Sequence, residues 1–214
     1  SPFRLRAYIA KPMGMKLKSL HLEIINQSQW PQQLAIAQAG FAPAFSEEFQ
    51  LAAVDTERPL SPKLKNTFNK WVKYMKGNRS AYVTLTVRGI GNTVIRDDER
   101  HGIQTRRRFM LLGQTLAGMR VYDILRSIDA LRQDPDYAKL PLHIWGNGAM
   151  ANNALLASLF AKDVTQLHLS NLATNDKQAP DYLNLSRIIT WPNLIKLARQ
   201  QTLVQISQPK STRQ

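Results

Sequence analysis

The sequence predicts an α/β fold, a mainly parallel sheet with helices on both faces, and three observations predict it. From about Ala81 to Ser207, short apolar runs alternate with helical stretches, and strand–helix units of that length imply parallel strands joined by right-handed crossovers. Two further runs near the N-terminus alternate apolar and polar residues, the period of half-buried strands. The 214 residues are 43% hydrophobic and 21% charged, the composition of an ordinary folded domain long enough for one real core.

Each element has its own signal. Phe3 to Ala10 (FRLRAYIA) is a strand ended by Pro12 and Gly14, and Ser19 to Asn26 (SLHLEIIN) is a second, with Leu20, Leu22 and Ile24 on one face. The stretch from Trp30 to Val54 is rich in Ala, Gln and Phe and is broken by Gly40 and Pro43. It reads as a connection with short helical pieces. Ser61-Pro62 then opens a helix as N-cap and first residue. Its stripe of Leu64, Phe68, Trp71, Val72 and Met75 is backed by Lys63, Lys70, Lys73 and Lys76, the pattern of a helix docked on a sheet with its lysines in water. Ala81 to Val87 is a β-branched strand leading into the loop RGIGNT. A charged stretch from Arg96 to Arg108 precedes a long helix to about Arg132. Pro141 to Trp145, Thr165 to Ser170 and Thr202 to Ser207 are strands; Ala149 to Ala161 and a segment from about Pro192, capped by Thr190 or Trp191, are helices. One domain over residues 1–214 is the simplest organisation, with N-terminal strands and connection over 1–54 and βα repeats over 55–214.

Composition narrows the function. With no cysteine there are no disulfides, thiolate metal sites or cysteine nucleophiles. No stretch approaches the roughly 18 to 20 apolar residues of a membrane-spanning helix, and no signal peptide is visible. The chain begins with Ser1, as expected of a processed protein, a trimmed one or a fragment, and a targeting segment would then be gone. The 29 Lys+Arg against 15 Asp+Glu leave a net charge of +14, which attracts polyanions such as nucleic acid, acidic polysaccharide or anionic lipid. The same excess also serves solubility or balances acidic sequence elsewhere in a parent chain.

Ligands of open parallel sheets bind beyond the carboxyl ends of the strands, and the sharpest turn there is Trp145-Gly146-Asn147-Gly148-Ala149-Met150. Together, RGIGNT, LAGMRVYDILRSIDAL and HIWGNGAMANNALLASLF resemble the acetyl-xylan-esterase and prolyl-oligopeptidase-like branch of the α/β-hydrolases. The matching stretch runs from about Ala81 to Leu172, with an echo from Thr190 to Ser207. The resemblance implies an α/β-hydrolase-like fold, with truncation at the C-terminus left open. It also implies that the turn after the family's fifth strand, G-x-S-x-G, corresponds to Gly146, Asn147, Gly148, Ala149 and Met150, with Gly148 in the serine's place and Met150 in that of the second glycine. Glycine reaches positive φ without steric cost but has no side chain to attack a carbonyl. Met150 leads us to expect the space above Gly148 to be narrowed or filled. An anion held by the amides of this turn is a weaker reading of the two glycines.

The rest of a triad is not visible. The family's acid and histidine follow its last strands, where this chain reads ISQPKSTRQ. His21, His143 and His168 lie within predicted strands, where a structural role is expected. His101 lies in the charged segment DDERH, whose Asp97, Asp98 and Glu99 have no partner cluster for a metal. Ser28 and Ser170 are the serines placed at strand ends, neither on an elbow. Arg88 and Gly89 of RGIGNT, and the run Arg106, Arg107 and Arg108, are loop or anion contacts by position. For Arg88 a structural tie is favoured over a substrate contact, and for Asp123 a salt bridge or loop anchor. The arginine run reads as a solvated helix start, where positive charge opposes the dipole.

The reading favoured is therefore a non-catalytic hydrolase-like domain, a pseudoenzyme or a module of a larger carbohydrate-active or peptidase-like protein. It has no catalytic residues, no metal and no cofactor, and it would associate with polyanion, carbohydrate or other domains of a parent chain. One alternative is a fragment of an active carbohydrate esterase or serine hydrolase. Another is a basic polyanion-binding module, marked by steep salt dependence. The resemblance leans towards a secreted or periplasmic location.

Overall fold

Six strands form where the alternation places them: β1 (Arg6–Ala10), β2 (Ser19–Ile24), β3 (Ser80–Thr86), β4 (Leu142–Asn147), β5 (Val164–Ser170) and β6 (Leu203–Ser207). The computed structural model describes residues 5–94 and 99–208. The strands make one sheet in the order β1-β3-β2-β4-β5-β6. Every neighbouring pair is parallel except β1 with β3. The short connection from Lys11 to Lys18 explains the exception. A parallel return needs a crossover of roughly a dozen residues or more, so β1 runs back antiparallel at the sheet edge.

One face of the sheet is apolar. Leu20, Leu22, Ile24, Val83, Leu85, Leu142, Ile144, Leu167 and Leu169 are all buried there, and α5 (Leu116–Gln133), α6 (Ala149–Phe160) and α8 (Trp191–Gln201) supply the rest of that core. Helix α6 packs on β4, β5, α5 and α8, and a single turn, α7 (Leu185–Ile188), precedes α8. The Ala and Leu residues of α6 surround the whole cylinder, as a helix buried on all sides requires. The other face carries Tyr8, Tyr82, Thr84, His21, Glu23, His143, Trp145 and His168, set by the two-residue period. Helices α1 (Trp30–Gly40) and α3 (Pro62–Asn78) lie over its β1–β3 end: Trp30 is 6.2 Å from Tyr8 and Trp71 is 5.6 Å from Tyr82, between ring centres.

Helix α3 starts as its sequence indicates, with the Ser61 side chain accepting a hydrogen bond from the Leu64 amide and Pro62 in the first turn. Its apolar stripe faces α1 and β3 while Lys63, Lys70, Lys73 and Lys76 are exposed. Among the described residues no helix is long and apolar enough to cross a membrane.

Two expectations are corrected. The charged stretch read as preceding the long helix is itself helical, α4 (Glu99–Leu111), and the helix ending near Arg132 is α5, which begins after a turn at Gly113; the Thr115 side chain caps α5 by accepting from the Gly118 amide. Arg106, Arg107 and Arg108 consequently lie in the second half of α4, not at a helix start, and Arg108 in the last turn is favourably placed for the helix dipole. The stretch read as a connection with short helical pieces holds α1, a regular three-turn helix, followed by the short α2 (Ser46–Leu51).

Candidate functional site

The turn between β4 and α6 is built around two glycines that do different things. Gly146 ends the buried row of β4, and a Cβ placed on it would lie 2.6 Å from the carbonyl oxygen of Met150 and 2.9 Å from the Cα of Ala151. The first turn of α6 rests directly on this residue, so only a hydrogen fits. Gly148 caps α6 at φ 57° and ψ −126°, a positive-φ conformation that strains any residue carrying a Cβ. Its amide donates to the Ser170 carbonyl at 2.9 Å, fastening the turn to β5, and its carbonyl accepts from the Ala151 amide at 2.9 Å. A Cβ on Gly148 would meet nothing within 4 Å. The expectation that this space is filled is therefore corrected. Met150 is instead turned into the core, 1% exposed, with its sulfur 3.6 Å from Nδ2 of Asn153.

Polar contacts tie the turn to its neighbours. Asn147 Oδ1 accepts from Asn171 Nδ2 at 2.8 Å. Asn152, fully buried in α6, clamps the chain after β5 by donating to the Ala173 carbonyl at 2.9 Å and accepting from its amide at 3.2 Å. A cavity of about 570 Å³ lies beside Arg88, lined by Thr115, Met119, Tyr122 and Tyr182 but by no residue from Gly146 to Met150.

The serines at strand ends are engaged with groups other than a base. Ser170 Oγ is 2.8 Å from Ser207 Oγ, and Ser28 Oγ donates to Asn26 Oδ1 at 2.6 Å. A serine–histidine contact exists at the opposite end of the sheet, where Ser19 Oγ is 2.9 Å from His21 Nε2 and 2.8 Å from Ser80 Oγ. Its imidazole is badly suited to general-base work. Burial, with His143 and His168 nearby, lowers the His21 pKa to about 4, and Nδ1 is buried without a hydrogen-bond partner. Among the described residues no carboxylate orients the ring, as a triad requires.

Arg88 is a structural tie. Asp123, 1% exposed, accepts from its backbone amide and guanidinium, and Arg88 Nη1 lies 3.2 Å from the Met119 sulfur. The Gly89 amide donates to Thr93 Oγ1 at 3.1 Å, and the Gly91 amide to Gln27 Oε1 at 2.8 Å, which binds RGIGNT to the loop after β2. Arg106 pairs with Asp181 at 2.8 Å, and Arg107 and Arg108 are exposed on α4. These arginines and Arg88 do not converge on the Gly146–Met150 turn. Asp97, Asp98 and the side chains of Glu99 and His101 lie outside the described residues. Among the described residues no three His, Cys, Asp or Glu groups converge as metal ligands.

Sequence reasoning did not anticipate that the strand histidines meet. His21 stacks on Trp145 at 4.6 Å and Trp145 on His168 at 4.2 Å, with His143 4.9 Å from His21, a stripe across β2, β4 and β5. The signal was present, since all three histidines sit in the phase opposite to the buried leucines, but it needed the strand order to be read.

No family model matches the chain, and no curated protein matches it in sequence. Solved structures do resemble it. A candidate acetyl xylan esterase from Bacteroides fragilis superposes with a TM-score of 0.62 at 12% identity, covering 97% of this chain and 63% of that one. The fold is α/β-hydrolase-like. The chain thus spans less than two thirds of that neighbour's length. A cold-adapted esterase from an Arctic intertidal metagenomic library aligns over 97% of this chain and 79% of its own, at 11% identity and a TM-score of 0.47.

Proposed function

We propose that this chain is a non-catalytic α/β-hydrolase-like domain, a single unit over residues 1–214 in which Gly148 occupies the nucleophile position. The observation that carries the reading is the backbone of Gly148. A strained strand-to-helix turn is what displays a nucleophile in hydrolases of this fold, and φ 57° with ψ −126° at the head of α6 is such a turn with no side chain on it. The hydrogen-bonding of Ser170 and Ser28, and the weak basicity of His21 at the far end of the sheet, support the same reading. As a module of a larger carbohydrate-active or peptidase-like protein, its contribution is binding or scaffolding. The exposed lysines of α3 favour an anionic partner, a polysaccharide among them.

The test is turnover of short-chain acyl esters by the purified chain. Rates indistinguishable from background are expected, and Gly148→Ser alone should not raise them, because a serine there has no base to take its proton. The competing reading is an active carbohydrate esterase of which this chain is one part. It requires hydrolysis that a serine-directed fluorophosphonate abolishes, with the label mapped to one residue; that result would overturn the proposal.

A further inference from the structure

Over the β1–β3–β2 end of the polar sheet face lies a cavity of about 420 Å³, walled by Tyr8, Phe41, Phe45, Trp71 and Tyr82 and carrying Glu23. We propose that this cavity binds a small organic cation, an ammonium of the quaternary type, between the aromatic rings and the Glu23 carboxylate.

Charge complementarity singles out this ligand. In a chain with about twice as many basic as acidic residues, the wall of the cavity holds, among the described residues, one carboxylate and no Lys, Arg or His. Glu23 makes no salt bridge among the described residues. Among the described residues its carboxylate accepts from Gln29 Nε2 at 3.5 Å, at the limit of hydrogen-bonding distance. Its side chain is exposed to solvent, and partial desolvation by the groups around it raises its pKa. A carboxylate so placed gains from a cation that sheds water easily, as an alkylated ammonium does and a bare metal ion does not.

The rings complete the argument. Register puts Tyr8, Thr84 and Glu23 in one row across β1, β3 and β2, so the Tyr8 and Glu23 backbones stand two strand spacings apart, about 10 Å, with their side chains on the same face. Tyr8 stacks on Phe45 at 4.2 Å, and its hydroxyl is committed to Glu48, so it offers the cavity its ring. Phe41, Trp71 and Tyr82 form an edge-to-face series, 6.0 Å and 5.6 Å between centres. Ring faces attract desolvated cations, indole most strongly.

The experiment titrates the whole chain with choline and tetramethylammonium, read by tryptophan fluorescence and calorimetry. The control ligand is 3,3-dimethylbutan-1-ol, the uncharged carbon analogue of choline. Saturable choline binding is expected, with the neutral analogue about ten-fold weaker or worse. Glu23→Gln and Trp71→Leu, each checked for an intact thermal transition, should each weaken choline by a similar factor. The comparison of choline with its neutral analogue needs no variant, so it decides even where a substitution unfolds the chain. Equal affinity for the two compounds, no saturable signal at millimolar choline, or a folded Glu23→Gln that binds as the parent does would each overturn the proposal.

Discussion

Asp123 holds Arg88 at three points: its carboxylate accepts from the Arg88 backbone amide at 3.0 Å, from Nε at 2.8 Å and, through the second oxygen, from Nη2. A carboxylate on α5 thereby fixes the end of β3 and the start of RGIGNT. Removing one partner leaves a desolvated charge behind, which costs about 3 kcal/mol or more. Asp123→Ala should lower the urea midpoint accordingly. Arg88→Lys should recover little of the loss of an Arg88→Ala variant, because an ammonium cannot reproduce the forked geometry. Parent-like stability of Asp123→Ala would refute the anchoring role.

The two glycines of the β4–α6 turn should respond differently to alanine. Gly148→Ala meets no atom but must adopt positive φ, a penalty of about 1–3 kcal/mol. Gly146→Ala drives a methyl into the backbone of Met150 and Ala151 and should cost more, because α6 must move. Chemical denaturation of both variants checks the order, and a Gly148→Ala as stable as the parent would remove the evidence for strain.

Asn152→Ala should destabilise by about 2 kcal/mol, since the amide and carbonyl of Ala173 lose their shared partner in a buried place. Hydrogen exchange of the Ala173 amide reads this directly. Its protection should fall by more than that of the β5 amides.

Acid should weaken the fold through the histidine stripe. Burial, and then His143 and His168, depress the His21 pKa from 6.5 to about 4, and the shifts of His143 and His168 have the same direction. An unfolded chain takes up protons near pH 6.5 that the folded chain refuses until about pH 4. This stability is therefore intact above pH 6.5 and is lost as pH falls towards 4. Allowing for solvent at the open face, His21 contributes about 1–2 kcal/mol of that slope. His21→Phe should flatten the melting temperature between pH 7 and 5, and an unchanged slope would discard this account.

Strands and caps were legible because their signals are local. Alternation placed Leu20, Leu22 and Ile24 on the buried face, and Ser61-Pro62 marked the start of α3. The break at Gly113 was missed because apolar residues continue across it in Phe109, Met110, Leu111 and Leu116, so periodicity ran on where Thr115 starts a new cap. Helix α1 was blurred because its Ala and Gln residues draw no stripe. At the candidate site, the glycine positions could be read from residue order, but the open space above Gly148 could not. Met150 suggested a filled pocket, and its inward turn follows from the helix rotation set by contact with Gly146.

The contrast between Gly146 and Gly148 also governs how this turn can drift. A side chain at 146 collides with backbone, so natural variants of this chain should keep glycine there whatever else changes. At 148 the only barrier is conformational, and asparagine, alanine or serine could appear there at modest cost. A hydroxyl could thus appear at the crest of the turn by a single substitution, long before any base stood ready to use it, so the shape of the turn alone leaves the chemistry of this position open.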